Sequence, residues 1–182
     1  MRVVAGRLGG RRLRAPRGRD TRPTSDRVRE ALFSMLGSVD GARVLDLYAG
    51  SGALAIEALS RGAATATLVE RDARAVGVIR ANLEALAIGS DAAKVVHMPA
   101  AAALRDASRR GDTYDLVLLD PPYRDATVLG RELSQALPAV LAPNARVVAE
   151  SDRRSPLDLD LPVIRERRYG DTLIRIHASH GT

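Results

Sequence analysis

Four consecutive residues, Asp120-Pro121-Pro122-Tyr123, carry the most specific chemistry in this sequence, and they directly follow the apolar run 116–119. Two prolines in a row fix φ and donate no N–H, so their carbonyls act only as acceptors. A carboxylate beside such a carbonyl makes a pair of acceptors for the two hydrogens of an exocyclic NH₂. The amine is then held with its lone pair toward an electrophile, and the carboxylate stabilises the positive charge that develops on nitrogen. Tyr123, in a chain whose other aromatics are Phe33, Tyr48, Tyr114 and Tyr169, offers a face on which an extruded base can stack. A Pro-Pro turn capped by Asp is the plainer alternative. A four-residue match at the end of an apolar strand favours chemistry.

A second constellation lies upstream. Leu45-Asp46-Leu47-Tyr48-Ala49-Gly50-Ser51-Gly52 leads from an apolar strand through a glycine turn into the apolar stretch 53–60. Gly50 and Gly52 allow positive φ and close backbone approach to a nucleoside. The third glycine of a dinucleotide fingerprint is missing, and no Gly-Lys-Ser/Thr of a phosphate loop follows. Asp46 is placed to accept from an ammonium or a bridging water, which suits a cofactor with a cationic amino-acid end better than a pyrophosphate. Glu70, 20 residues after Gly50, closes the next strand, where an acid can accept both ribose hydroxyls. Each piece has a structural alternative, a tightened turn or a helix cap; their spacing together points to a nucleoside site.

These residues need a scaffold that brings strand ends together. Strands are expected at 42–47, 65–69, 94–98, 115–119 and 145–150, alternating with helices at 53–60, 73–86, 100–109 and 127–141, the last interrupted at Pro138. Such alternation with nearly all-apolar strands predicts a parallel sheet covered on both faces, with ligands beyond the carboxyl ends of its strands. Segments 163–169 and 172–177, joined by Gly170-Asp171, predict a closing antiparallel hairpin. At the start, Val3-Val4-Ala5 and Arg11-Arg12-Leu13-Arg14 flank a glycine-rich turn and predict a small β-hairpin. Thr24 or Ser25 is the expected cap of a helix in which Val28, Ala31, Leu32, Met35 and Leu36 recur at helical spacing up to Gly37.

Charge is unevenly distributed along the chain. Residues 1–29 hold ten arginines against Asp20 and Asp26, a charge of +8, while the remainder carries 18 basic and 20 acidic residues, or −2. With 27 arginines and the single Lys94, genome composition explains the residue type but not the clustering, which predicts contact with a polyanion, above all nucleic acid. The absence of cysteine excludes disulfides, thiolate metal sites and a Cys nucleophile. No apolar run reaches the roughly 18 residues of a membrane span, no signal-peptide pattern opens the chain, and the three histidines form no metal constellation; His97 is expected as a core or capping residue.

These residues resemble a known family. Residues 46–52 with Glu70 are similar to the class I S-adenosylmethionine methyltransferases, and residues 120–123 to the amino-methyltransferase signature (Asp/Asn)-Pro-Pro-(Tyr/Phe). The block from Arg22-Pro23-Thr24-Ser25-Asp26-Arg27 to Phe33, with Val3-Val4-Ala5-Gly6 and Gly10-Arg11-Arg12-Leu13, resembles the bacterial small-subunit rRNA guanine-N2 methyltransferase D family over nearly the whole chain. The resemblance implies an α/β class I (Rossmann-like) fold: a mostly parallel seven-stranded sheet with a terminal antiparallel hairpin. A basic extension over residues 1–24 would precede a methyltransferase domain over 25–182. It implies methylation of the N2 amine of one guanine in 16S rRNA, within the small ribosomal subunit or a late precursor, by a monomeric cytoplasmic enzyme without metal or membrane. Asp120, Pro121, Pro122 and Tyr123 would then be catalytic. S-adenosyl-L-methionine would be held by Asp46, Tyr48, Gly50, Ser51, Gly52, Glu70, Arg71 and Ala100, and RNA by Arg2, Arg7, Arg11, Arg12, Arg14, Arg22 and Thr24. Two positions depart from the usual pattern. Arg71 stands where an apolar residue commonly meets the adenine, and Pro99-Ala100 where an Asp or Asn commonly does, so backbone contacts to the adenine are expected there.

The tetrapeptide is shared by enzymes acting on adenine N6 in DNA or RNA and on protein glutamine. The chain lacks room for a DNA target-recognition domain, and a glutamine enzyme would carry Asn in place of Asp120. A non-catalytic RNA-binding assembly factor is the rival of another class; intact Gly50, Gly52, Glu70 and Asp120 stand against it. Removing residues 1–20 is expected to abolish ribosomal substrate binding and leave the cofactor site unaffected.

Overall fold

The computed structural model describes residues 1–16, 25–122 and 126–179. In chain order they form α1 (Asp26–Leu36), β1 (Arg43–Asp46), α2 (Ala53–Ser60), β2 (Thr65–Glu70), α3 (Ala73–Ala85), β3 (Ala93–His97), α4 (Ala100–Arg110), β4 (Tyr114–Leu119), α5 (Ala126–Ala136), a 3₁₀ turn (Leu137–Val140), β5 (Leu141–Asp152), β6 (Val163–Tyr169) and β7 (Thr172–Ala178). The strands make one seven-stranded sheet in the order β3-β2-β1-β4-β5-β7-β6. The first five are mutually parallel, and β7 runs antiparallel to both β5 and β6. The expected parallel sheet with its terminal hairpin is therefore present. The order reverses between β1 and β4, which opens the crevice where ligands of such sheets bind.

Side-chain alternation divides the core into two layers. Val44, Leu68, Leu116, Leu118 and Val148 face a layer built with Leu32 and Phe33 of α1, Leu54 and Ile56 of α2, and Ile79 and Leu83 of α3. Leu45, Leu47, Val69, Val117, Leu119 and Val147 face the other, with Leu104 of α4 and Leu133 of α5. Carrying the same alternation to the carboxyl ends puts Asp46, Glu70, Asp120 and Glu150 all on the face of the first layer. The predicted helix across 127–141 ends early: α5 stops at Ala136 and a 3₁₀ turn containing Pro138 follows, because proline supplies no N–H to continue the ladder. Strand β5 then starts at Leu141, with an irregularity in its pairing to β4 between Tyr114 and Leu116.

The N-terminal segment is less of a hairpin than its sequence predicts. Antiparallel pairing is a single bridge, Arg2 with Arg12, flanked by Val3 N to Arg11 O (2.9 Å) and Leu13 N to Met1 O (3.1 Å). The amides of Val4 and Ala5 instead turn to α2, donating to the two carboxylate oxygens of Glu57 at 2.7 and 3.0 Å. Leu8 N donates to Ser60 Oγ at 2.9 Å, Arg7 N to Ser60 O at 2.8 Å, and Ser60 Oγ to Ala5 O at 2.5 Å. Helix α2 is apolar on nearly all sides and so must be covered all round; this segment is the cover, and Val3, Leu8 and Leu13 join the first core layer.

Close approach imposes a residue choice here. Gly6 has φ +80°, and a Cβ on it would lie 1.9 Å from Ser60 O. Gly6→Ala is expected to destabilise by about 3 kcal/mol or more, through a left-handed backbone and a clash that the backbone must move to relieve. Chemical denaturation of the two proteins measures it; a change under about 0.5 kcal/mol shows that the segment does not seat this way.

Helix α1 is capped by Ser25, whose side chain accepts from Val28 N at 3.3 Å, one of the two caps expected; Thr24 lies outside the described residues. Its Arg29, counted in the sequence among the basic cluster, is buried. The guanidinium donates to Arg2 O and to Asp26 Oδ1 (2.8 Å) and lies 3.7 Å from Glu57. That arginine is committed to the fold. Arg2, Arg7, Arg11, Arg12 and Arg14 remain on the surface.

Candidate active site

Strand β1 ends at Asp46, and the chain turns at once through Tyr48 and Ala49 into the glycine loop. Ala49 N donates to Val69 O at 3.0 Å and Gly52 N to Ala49 O at 2.6 Å. Gly50 and Gly52 sit at φ +56° and +80°, the conformations glycine was expected to provide. Gly52 also packs tightly: a Cβ there would meet Leu68 Cδ2 at 3.0 Å. Beyond it α2 begins without a side-chain cap, and the Ala55 amide of its first turn lies near Asp46.

Asp46 is 1% exposed, and neither carboxylate oxygen has a hydrogen bond of ordinary geometry among the described residues. Burial pushes its pKa up to about 7; the nearby amides of Tyr48 and Ala55 offset part of this, and the Glu70 charge adds to it. An orphaned buried carboxyl is costly. A cationic group brought to it would supply the missing partner.

Glu70, at the end of β2, is already engaged. Oε2 accepts from Gly50 N and Oε1 from Asp72 N, both at 2.9 Å. It therefore holds the glycine loop against β2. The next peptide is steadied by His97 at the end of β3, whose Nε2 lies 3.1 Å from Arg71 O. His97 is exposed, not a core residue. Arg71 is exposed as well, and Tyr48 is half-buried. Burial, and secondarily Glu132, push the Tyr48 hydroxyl up to about 12, so at neutral pH it is a phenol able to donate. Ala100 opens α4 after Pro99 with no side-chain cap, which leaves backbone amides at the same edge.

Asp120 follows β4 immediately. It retains some surface at the rim, yet enough protein surrounds it that burial raises its pKa well above the usual carboxylate range, with the charges of Glu150 and Asp46 adding to the effect. The pairing of Leu119 with Ala149 puts Glu150 on the neighbouring strand at the next step of the register. Glu150 is 3% exposed and was missed in the sequence, although it directly follows the apolar run 147–149, two residues before β5 ends. Pro121 is buried and Pro122 exposed. Both line a small cleft with Ala126, Leu129, Ser151, Ser155 and Leu157. Tyr123 lies outside the described residues, as do Arg22 and Thr24.

The sheet thus brings Asp46, the loop 50–52, Glu70, Ala100 and Asp120 to one edge. The surface arginines of the first 16 residues lie on the segment that covers α2, the helix opened by that loop. Asn82 of α3, also missed, joins the two: Nδ2 donates to Ser51 O at 2.9 Å and to Arg14 O at 3.1 Å, while Oδ1 accepts from Arg14 N at 2.8 Å. It stands on the buried stripe of α3 with Ala75, Val76, Ile79 and Leu83, where a lone amide among apolar residues is the signal that reveals it. No helix among the described residues is long and apolar enough to cross a membrane, and none of their His, Asp and Glu side chains form a group of three that could hold a metal ion.

Comparison with known proteins adds to this geometry. A family model described as Conserved hypothetical protein 95 matches residues 1–178. The chain is 38% identical over its full length, and the full length of the relative, to the protein named "Putative rRNA methyltransferase YlbH" of Bacillus subtilis. It is 43% identical over 125 residues, 68% of this chain and 61% of the relative, to "Ribosomal RNA small subunit methyltransferase D" of Escherichia coli K12. Among solved structures, a hypothetical protein of Thermus thermophilus superposes with a TM-score of 0.83 at 30% identity, covering 97% of this chain and 98% of that one.

Proposed function

We propose, from the premise that the chain belongs to the family described as Conserved hypothetical protein 95, that it transfers a methyl group from S-adenosyl-L-methionine to the N2 amine of a guanine in 16S rRNA. The observation that carries this reading is the placement of Asp120 on the same sheet face and edge as Asp46, the glycine loop and Glu70. The curated names of its relatives supply the class of substrate. Residues 1–24 serve in this reading as the RNA-contact extension of a methyltransferase domain over 25–182, and the RNA is engaged within the small subunit or a late precursor.

The residues present fit the cofactor, because an orphaned buried carboxyl at the end of β1 suits an ammonium. Asp46 would hold that amino group. Gly50, Ser51 and Gly52 would lie against the nucleoside, Glu70 would take the ribose hydroxyls, and the Ala100 amide would meet the adenine. When bound, the cofactor supplies an electrophilic methyl on a sulfonium. The chain's own contribution is orientation and charge. The Asp120 carboxylate and the Pro121 carbonyl each accept one N–H of the guanine amine, which aims the nitrogen lone pair and stabilises it as it becomes positive. Tyr123 would stack the extruded base, and Arg2, Arg7, Arg11, Arg12, Arg14, Arg22 and Thr24 would hold the surrounding RNA.

Labelled methyl transfer to small subunits, naked 16S rRNA, DNA and protein, followed by nucleoside digestion, tests the reading. N2-methylguanosine from rRNA is the expected product. Label in adenine N6 or in a protein side chain overturns the guanine assignment.

Asp46 gives a pH-dependent expectation. Its carboxyl titrates near 7 in the folded, ligand-free protein and near 4 when unfolded, so the folded state holds the proton more tightly. The resulting stability is full below about pH 4 and is lost as pH rises through about 7. Cofactor binding needs the anion and is expected to strengthen over the same upper range. Asp46→Asn should therefore melt higher than the parent at pH 8, bind S-adenosylhomocysteine about tenfold or more weakly, and lose the pH dependence of both. Calorimetry and denaturation at pH 5 and 8 measure this; an unchanged pH profile in the variant removes Asp46 from the role.

A further inference from the structure

The segment expected to meet RNA and the loop expected to meet the cofactor are held by one side chain. Asn82 is 2% exposed, and its amide uses both hydrogens and its oxygen: two bonds to the peptide groups of Arg14 and one to Ser51 O. The two attachments join segments 37 residues apart in the chain. Arg14 has an exposed side chain and lines a cavity of about 570 Å³ together with Ala15, Pro16, Arg74 and Val78. Two of its lining residues are thus arginines. Ser51 lies between two glycines at positive φ, so side-chain sterics do little to hold that peptide and its hydrogen bonds largely set its orientation. A second contact reinforces the link, since Ser51 Oγ lies 3.5 Å from Met1 Sδ.

We propose that Asn82 is a positioning residue that couples RNA on the N-terminal segment to cofactor in the loop 50–52, so that each ligand tightens the binding of the other. A phosphate held by the Arg14 side chain fixes the Arg14 peptide. The fixed peptide holds the Asn82 amide, and that amide holds the Ser51 carbonyl in the orientation that keeps the loop open to a nucleoside. Coupling of this kind is reciprocal: RNA must raise cofactor affinity by the factor by which cofactor raises RNA affinity. This inference rests on the rRNA reading above.

The test measures the dissociation constant of the full-length protein for S-adenosylhomocysteine with and without saturating 16S rRNA. RNA is expected to tighten it about fivefold or more in the parent, and within about twofold of unity in Asn82→Ala. A merely structural role would weaken both ligands and leave their ratio unchanged, so a variant that keeps the parental ratio overturns the coupling. Hydrogen exchange on the parent provides a measurement that does not depend on the variant folding. Bound RNA is expected to slow exchange at Ser51 and Gly52 as well as across residues 3–14; protection confined to 3–14 overturns the proposal. RNA binding without coupling removes this inference alone, whereas no binding of rRNA by the parent removes the rRNA reading and this inference with it.

Discussion

Replacing Asp120 with alanine is expected to lower methyl transfer by about a thousandfold, roughly 4 kcal/mol of transition-state stabilisation, while S-adenosylhomocysteine affinity stays within about threefold. The asymmetry follows from position. Asp120 stands at the end of β4, while the loop and carboxylates assigned to the cofactor belong to β1 and β2. The buried neighbours of Asp120 make its charge informative. Its carboxyl is held well above the ordinary range by burial, Glu150 and Asp46, so removing it relieves repulsion as well as deleting an acceptor. Stability is thus expected to hold or rise in the variant while turnover collapses. Single-turnover transfer of labelled methyl at saturating cofactor, with calorimetry on the same preparation, separates the two effects. A variant that loses cofactor binding along with turnover would falsify the assigned role.

The second large effect concerns the basic segment, where the structure changes the experiment. Deleting residues 1–16 takes Val3, Leu8 and Leu13 from the core and removes two amides that donate to Glu57, which keeps Arg61 Nε at 2.7 Å. Three lost core side chains and two lost hydrogen bonds to a buried carboxylate are together expected to cost about 5 kcal/mol or more, enough to unfold a typical domain. The deletion also severs Asn82 from Arg14, so the cofactor loop is expected to feel the loss of this segment. The informative change keeps the backbone: Arg7, Arg12 and Arg14 replaced together by glutamine. Their side chains are exposed, so the melting temperature should hold. The slope of log affinity for rRNA against log salt is expected to flatten by about two, since each lost phosphate contact removes roughly 0.7 to 0.9. Filter binding across a salt series measures it; an unchanged slope shows that these arginines do not meet phosphate.

What the sequence determined by itself was local. Apolar runs separated by helical periodicity gave the strand–helix alternation, because the two periods are written within ten residues of each other. Parallel strands share a carboxyl edge, so the residues closing them had to converge. That is why the sequence alone places Asp46, the glycine turn, Glu70 and Asp120 at one sheet edge. Glu150 carried the same signal and could have been included. Only the tertiary structure decided what the polar residues inside helices do. Glu57, Ser60 and Asn82 bond to partners 31 to 68 residues away. Arg29, one of ten clustered arginines, is spent inside the fold because α1 lays it beside Glu57 and the carbonyl of Arg2. The predicted N-terminal hairpin shrank to one bridge for the same reason. Local pairing of Val4 and Ala5 competed with a buried carboxylate on α2, and in a low-dielectric interior a charged acceptor outweighs a neutral strand partner. Such competition depends on which elements pack together, and no window of adjacent residues contains it.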